Sequence, residues 1–87
     1  MIELQYTKHF LKSLKKLPPS QQTKLAKLLE ILREHPFYPL LHTKSLTGDL
    51  TGFYSFRITR EYRAIFQFLN PAVIKLIDVA HRKEIYR

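Results

Sequence analysis

Three runs of aromatic and β-branched residues fill the second half of this 87-residue chain, separated only by Thr59-Arg60-Glu61 and Asn70-Pro71. Links that short can only turn a strand back on its neighbour, because a parallel pairing needs a crossover of a dozen or more residues. The runs therefore predict an antiparallel meander, entered at Gly52. In the first run Tyr54, Phe56 and Ile58 fall on one face, and Phe53, Ser55 and Arg57 on the other. In the second, Tyr62, Ala64, Phe66 and Phe68 share a face, and Arg63, Ile65 and Gln67 take the opposite one. Packing the apolar faces together leaves Arg57 and Arg63 on the same open side of the sheet. The third run, Val73–Val79, places Lys75 and Asp78 on opposite parities. This predicts a bulge, or burial on both sides over part of the strand.

The first half supplies what covers the apolar face. Residues 2–6 alternate as a short strand. Thr7 is placed to cap a helix running to about Leu17, with Phe10, Leu14 and Leu17 on its apolar stripe and Leu11 widening it. Lys8, Lys12, Lys15 and Lys16 take the remainder. Pro18-Pro19 stops this helix, since Pro lacks the donor that a continuing helix needs. A second helix starts at Pro19 or Ser20 and runs to about His35, with Leu25, Leu28, Leu29 and Leu32 as its stripe. Pro36 ends it, and residues 36–51 read as a loop with a turn at Gly48-Asp49. The order is β-α-α-β-β-β. It predicts one α+β domain over residues 1–87: a two-helix hairpin on one face of a small antiparallel sheet of about four strands. The first strand joins at an edge or beside the last, and the other face stays free for a ligand.

Charge and missing residue types narrow the chemistry. Fifteen Lys/Arg against seven Asp/Glu give a net charge of +8, which points to a polyanionic partner, nucleic acid first. Without cysteine there is no disulfide, thiolate metal site or thiol nucleophile. The histidines, His9, His35, His42 and His81, lack metal-binding spacing, and carboxylates are few, so neither a metal nor another cofactor is predicted. No leader peptide is read at the start, and no apolar run approaches the roughly 18 residues of a membrane span, so the expectation is a cytoplasmic protein with no membrane partner. Catalysis, if present, falls to Arg, Lys, His, Tyr or Glu. Arg57, Arg63, His81, Arg82 and Tyr86 gather at strand ends and suit cleavage of RNA by its own 2′-hydroxyl. Lys44, Arg60, Lys83 and Arg87 are the flanking cations for the RNA backbone. The plainer alternatives are solubilising charges on a half-exposed hairpin and a C-terminus anchored by His81 and Tyr86.

The whole chain resembles the RelE/ParE superfamily of type II toxin–antitoxin toxins. The resemblance is carried by LPPS at residues 17–20, KSLTGDLTGFYSFRITREYRAIF at 44–66 and HRKEIYR at 81–87. The hairpin is similar to the YoeB/Txe branch and the tail to the wider RelE branch. The resemblance implies a metal-independent endoribonuclease that cleaves mRNA on the ribosome. It also implies a cognate antitoxin, acidic and partly disordered, that holds the toxin inactive. Carried across, Arg63 matches the transition-state arginine, Arg82 the C-terminal arginine given a general-acid role, and Tyr86 the tyrosine that orients or stacks on substrate. Arg57 stands for the paired lysines of RelE members, and Lys44 falls near the glutamate that YoeB-like members use as base. The base is thus open: His81 is the first candidate, with Lys44 and Glu61 the alternatives. The rival readings are a ParE-like gyrase inhibitor and a basic RNA- or ribosome-binding module without activity.

Overall fold

Thr7 joins the first strand to the first helix and ties both to the far end of the chain. A computed structural model describes residues 1–86. In it β1 (Glu3–Tyr6) gives way at Thr7, whose hydroxyl accepts from the Phe10 N–H at 2.9 Å and so caps α1 (Lys8–Lys15). The same hydroxyl donates to the Ile77 carbonyl at 3.2 Å. Pro18 is extended and Pro19 opens α2 (Pro19–Glu34), the position at which a missing N–H costs nothing.

The sheet runs in the order β1-β5-β4-β3-β2, with β2 at Lys44–Ser45, β3 at Tyr54–Arg57, β4 at Tyr62–Asn70 and β5 at Val73–His81. Strands β2 to β5 pair antiparallel, as the short links require, and β1 lies beside β5 at the edge. Two features differ from expectation. The strand count is five rather than about four, because Lys44 and Ser45 pair with Ser55 and Tyr54 inside the stretch read as a loop. Two residues leave no periodicity to read. The sheet is also mixed, since β1 is parallel to β5; the two intervening helices form the long crossover that a parallel pair needs. The same stretch holds 3₁₀ turns at Pro39–Leu41 and Gly48–Leu50, and Gly48 and Gly52 adopt φ of 65° and 96°, conformations that suit only glycine without strain.

Helices and sheet close on a single apolar layer. Phe10, Leu17, Leu25, Leu28 and Leu32 come from the helical side, and Phe56, Ile58, Ala64, Phe66, Ile74, Leu76 and Val79 from the sheet. Phe66 is its centre, fully buried, with ring centroids 5.5 Å from Tyr54 and 5.6 Å from Phe68. Phe66→Ala is expected to destabilise the fold by about 3–5 kcal/mol, a large share of what a domain of this size possesses. Urea unfolding would measure it, and a loss below about 1 kcal/mol would mean the ring is not a core keystone. Ser55, Ile65 and Ile85 are also buried, but outside this cluster. Among the described residues, no helix is long and apolar enough to cross a membrane.

The expected bulge lies in β5. Ile65 pairs with Asp78 but Phe66 pairs with Leu76, so Ile77 is an extra residue with no opposite number. Its neighbour Asp78 is drawn to α1, accepting from Ser13 Oγ at 2.9 Å and lying 3.1 Å from His9 Nε2. One extra residue inverts the alternation of everything after it.

Candidate active site

Arg57 and Arg63 are direct cross-strand partners on the face of the sheet away from the helices. The adjacent row on that face carries Lys44, Ser55 and Ile65. Like charges placed opposite one another destabilise a sheet, so something must hold the pair in place. Part of the answer is the hairpin turn. Arg63 Nη1 donates to the Thr59 and Arg60 carbonyls, at 3.0 and 3.1 Å. Thr59 Oγ1 in turn accepts from the Glu61 and Tyr62 N–H groups, at 3.2 and 3.3 Å. Neither arginine has an ion-pair partner among the described residues. Two arginines paired across neighbouring strands and without an acidic partner among the described residues carry the planar donor forks that phosphate oxygens can accept from.

Glu61 links this turn to the end of the last strand. Its carbonyl accepts from the Arg82 N–H at 2.7 Å. Its carboxylate Oε2 lies 3.1 Å from His81 Nε2 and 3.9 Å from Arg82 Nε. His81 Nδ1 accepts from the Lys83 N–H at 3.1 Å, so the proton of the neutral ring sits on Nε2 and is donated to Glu61. Both ring nitrogens are therefore engaged.

The residues expected at one patch do not all share a face. Arg57 and Arg63 stand on the open face. His81 pairs with Tyr62, makes an edge-on ring contact with it at 5.5 Å, and lines a groove beside His9 and Lys16 of the α1 side. The cause is the extra residue Ile77: strict alternation from Ile74 and Leu76 would put His81 on the arginine face, and the bulge turns it to the helix face. Arg82 follows, held to Glu61. Tyr86 comes next to the buried Ile85, whose N–H bonds the His81 carbonyl at 3.1 Å, and it is 42% exposed. Lys44, Arg60 and Lys83 are exposed, and Arg87 lies outside the described residues.

Sequence reasoning gave Glu61 only a secondary place, although one signal marks it. It is the sole acidic residue between Asp49 and Asp78, set between Arg60 and Arg63 in the most basic turn of the chain. Thr59, which fixes that turn, was not singled out. No group of three or more His, Asp or Glu side chains able to hold a metal ion occurs among the described residues.

The family described as the ParE toxin of the type II toxin–antitoxin system parDE matches residues 4–86 of this sequence. Among solved structures, a YoeB/ParE toxin from Agrobacterium tumefaciens superposes with a TM-score of 0.79 at 21% identity, covering 93% of this chain and 99% of that one. YafQ from E. coli strain BL21(DE3) gives 0.83 at 14% identity over the full length of both chains. A chain of the RelB-RelE antitoxin-toxin complex from Methanococcus jannaschii gives 0.76 at 25% identity, covering 94% of each. No curated protein sequence gives a significant match.

Proposed function

The chain belongs to the ParE toxin family of type II toxin–antitoxin systems, and from that premise we propose that it is a metal-independent endoribonuclease that cleaves mRNA on the ribosome. The observation that carries this reading is the Arg57–Arg63 pair on the open face, unneutralised and joined through the hairpin turn to Glu61 and Arg82. Arg57 and Arg63 hold the scissile phosphate and stabilise the charge that builds on its oxygens. Both contacts to Glu61 use Oε2, which leaves Oε1 as the acceptor for the 2′-hydroxyl proton. The 2′-oxygen then bonds to phosphorus and the bond to the 5′-oxygen breaks; that oxygen, hydrogen-bonded by Arg82, takes a proton from water, and Glu61 returns the proton it accepted to solvent. The products are a 2′,3′-cyclic phosphate and a free 5′-hydroxyl. His81, bonded to Glu61 from the other face, acts as a positioning residue in place of the base first assigned to it. Tyr86 stacks on a base, and Lys44, Arg60, Lys83 and Arg87 follow the phosphates.

The antitoxin follows from the same premise. The Methanococcus jannaschii neighbour was solved as an antitoxin–toxin complex. For this chain, an acidic and partly disordered cognate antitoxin is the partner that a net charge of +8 suits. The site of action is the cytoplasm, where the ribosomes are.

The test is to add the protein to translating ribosomes in the presence of mRNA and map the RNA ends. New 5′-hydroxyl ends inside coding regions are expected, and they persist with naked RNA once excess chelator has removed divalent ions. The parDE description of the family favours one competing reading, inhibition of DNA gyrase. An absence of new ends together with loss of supercoiling by purified gyrase would establish that reading instead.

A further inference from the structure

The segment after α2 is unusually apolar for a connection: Phe37, Tyr38 and Leu40 are 54%, 45% and 56% exposed. Phe37 is accounted for, because it stacks on Phe68 at 6.3 Å and meets Tyr54 edge-on at 5.9 Å, extending the core outward. Tyr38 and Leu40 are not. With Ile31 they line a shallow hollow between the last turn of α2 and the Pro39–Leu41 turn, and Glu30, Glu34 and His35 complete its wall. The hollow is preformed. Tyr38 N–H bonds the His35 carbonyl at 3.0 Å, Leu41 N–H bonds the Tyr38 carbonyl at 2.9 Å, and the His35 and Tyr38 rings meet edge-on at 5.7 Å.

The two carboxylates work against their own helix. They sit at the C-terminal end of α2, where the helix dipole disfavours negative charge, and four residues apart, where like charges repel. Arg33 offsets Glu30 in part, at 3.5 Å, while Glu34 has no ion-pair partner among the described residues. A chain with only seven acidic residues thus sets two of them beside an exposed apolar hollow. The local charge is opposite in sign to that of the molecule.

We propose that this hollow docks a basic amphipathic helix of a protein partner. An aliphatic stripe on that helix packs on Ile31, Tyr38 and Leu40, and two Lys/Arg one turn apart face Glu30 and Glu34. Glu30 and Glu34, themselves one turn apart, set the spacing of the cations. The inference goes beyond the nuclease reading and does not rest on it, because none of these residues belongs to the Arg57–Arg63 site.

Two synthetic 14-residue helical peptides with the same leucine stripe, one flanked by lysines and one by glutamates, test it. Amide chemical shifts of the labelled protein are followed as each is added. The lysine peptide is expected to perturb Ile31, Tyr38 and Leu40 and to bind there about tenfold more tightly than the glutamate peptide. The double variant Glu30→Lys, Glu34→Lys reverses that preference at the hollow. Leu40→Glu weakens the lysine peptide about 10- to 100-fold, with circular dichroism checking that the fold is kept. Equal binding of both peptides at the hollow, or no perturbation there by millimolar lysine peptide, overturns the proposal.

Discussion

An Arg63→Ala variant is expected to cleave RNA about 10²- to 10³-fold more slowly than the parent protein, the usual consequence of removing one preorganised donor from developing charge. The loss has two sources. Arg57 is left to hold the phosphate alone, and the Thr59 and Arg60 carbonyls lose the Nη1 donor that stiffens the turn. Arg63→Lys separates them. It keeps a positive charge beside Arg57, but an ammonium lacks the planar fork that meets two carbonyls and a phosphate together, so an intermediate rate is expected. Those two hydrogen bonds lie at a partly exposed turn, and their loss should lower stability by about 1 kcal/mol each at most. Single-turnover cleavage of a bound RNA, measured with equal amounts of folded protein, decides the matter. Wild-type rates for Arg63→Ala would remove the phosphate clamp from the mechanism.

Glu61→Gln is expected to cost about 10²- to 10⁴-fold, the range for loss of a general base, with little change in RNA binding. The amide keeps the size of the side chain and an oxygen that accepts from His81 Nε2, so the connection to the last strand survives. His81→Gln gives the contrast. Its side chain can still donate to Glu61, and as a positioning residue it should lose only a few-fold in rate. The size of the loss in single-turnover rate carries the distinction: large in Glu61→Gln and small in His81→Gln. The opposite result returns the base to His81 and requires its ring to leave the Lys83 and Glu61 contacts before it acts.

The parts of the fold that announce themselves in sequence are those fixed by local chemistry. Thr7 as a cap, Pro18-Pro19 as the break between helices, and links too short for a crossover each have one physical outcome. The facing of Arg57 and Arg63 follows from strand parity across a tight turn. β2 was illegible because two residues have no period, and its pairing is decided by the tertiary position of Ser55 and Tyr54. The site was read less completely than the fold for one reason. A bulge could be anticipated from the clash of Lys75 and Asp78, but not which residue it would leave unpaired. That choice depends on Ser13 and His9 drawing Asp78 toward α1, a contact between residues more than sixty positions apart. With the extra residue at Ile77, His81 moved to the far face and Glu61 became the group shared between hairpin and tail.

The parallel pairing at the sheet edge also has a consequence in time. Glu3 lies opposite Val73 and Tyr6 opposite Leu76, seventy positions along the chain. A ribosome adding about 5–20 residues per second needs roughly 4–14 seconds to pass from one partner to the other. During that interval the nascent chain holds two amphipathic helices but no completed sheet to receive them. The Arg57–Arg63 pair waits for β4, and the tie from Glu61 to His81 and Arg82 waits for β5. On the nuclease reading proposed above, the chain is therefore inert toward RNA until its last strand has been made and paired.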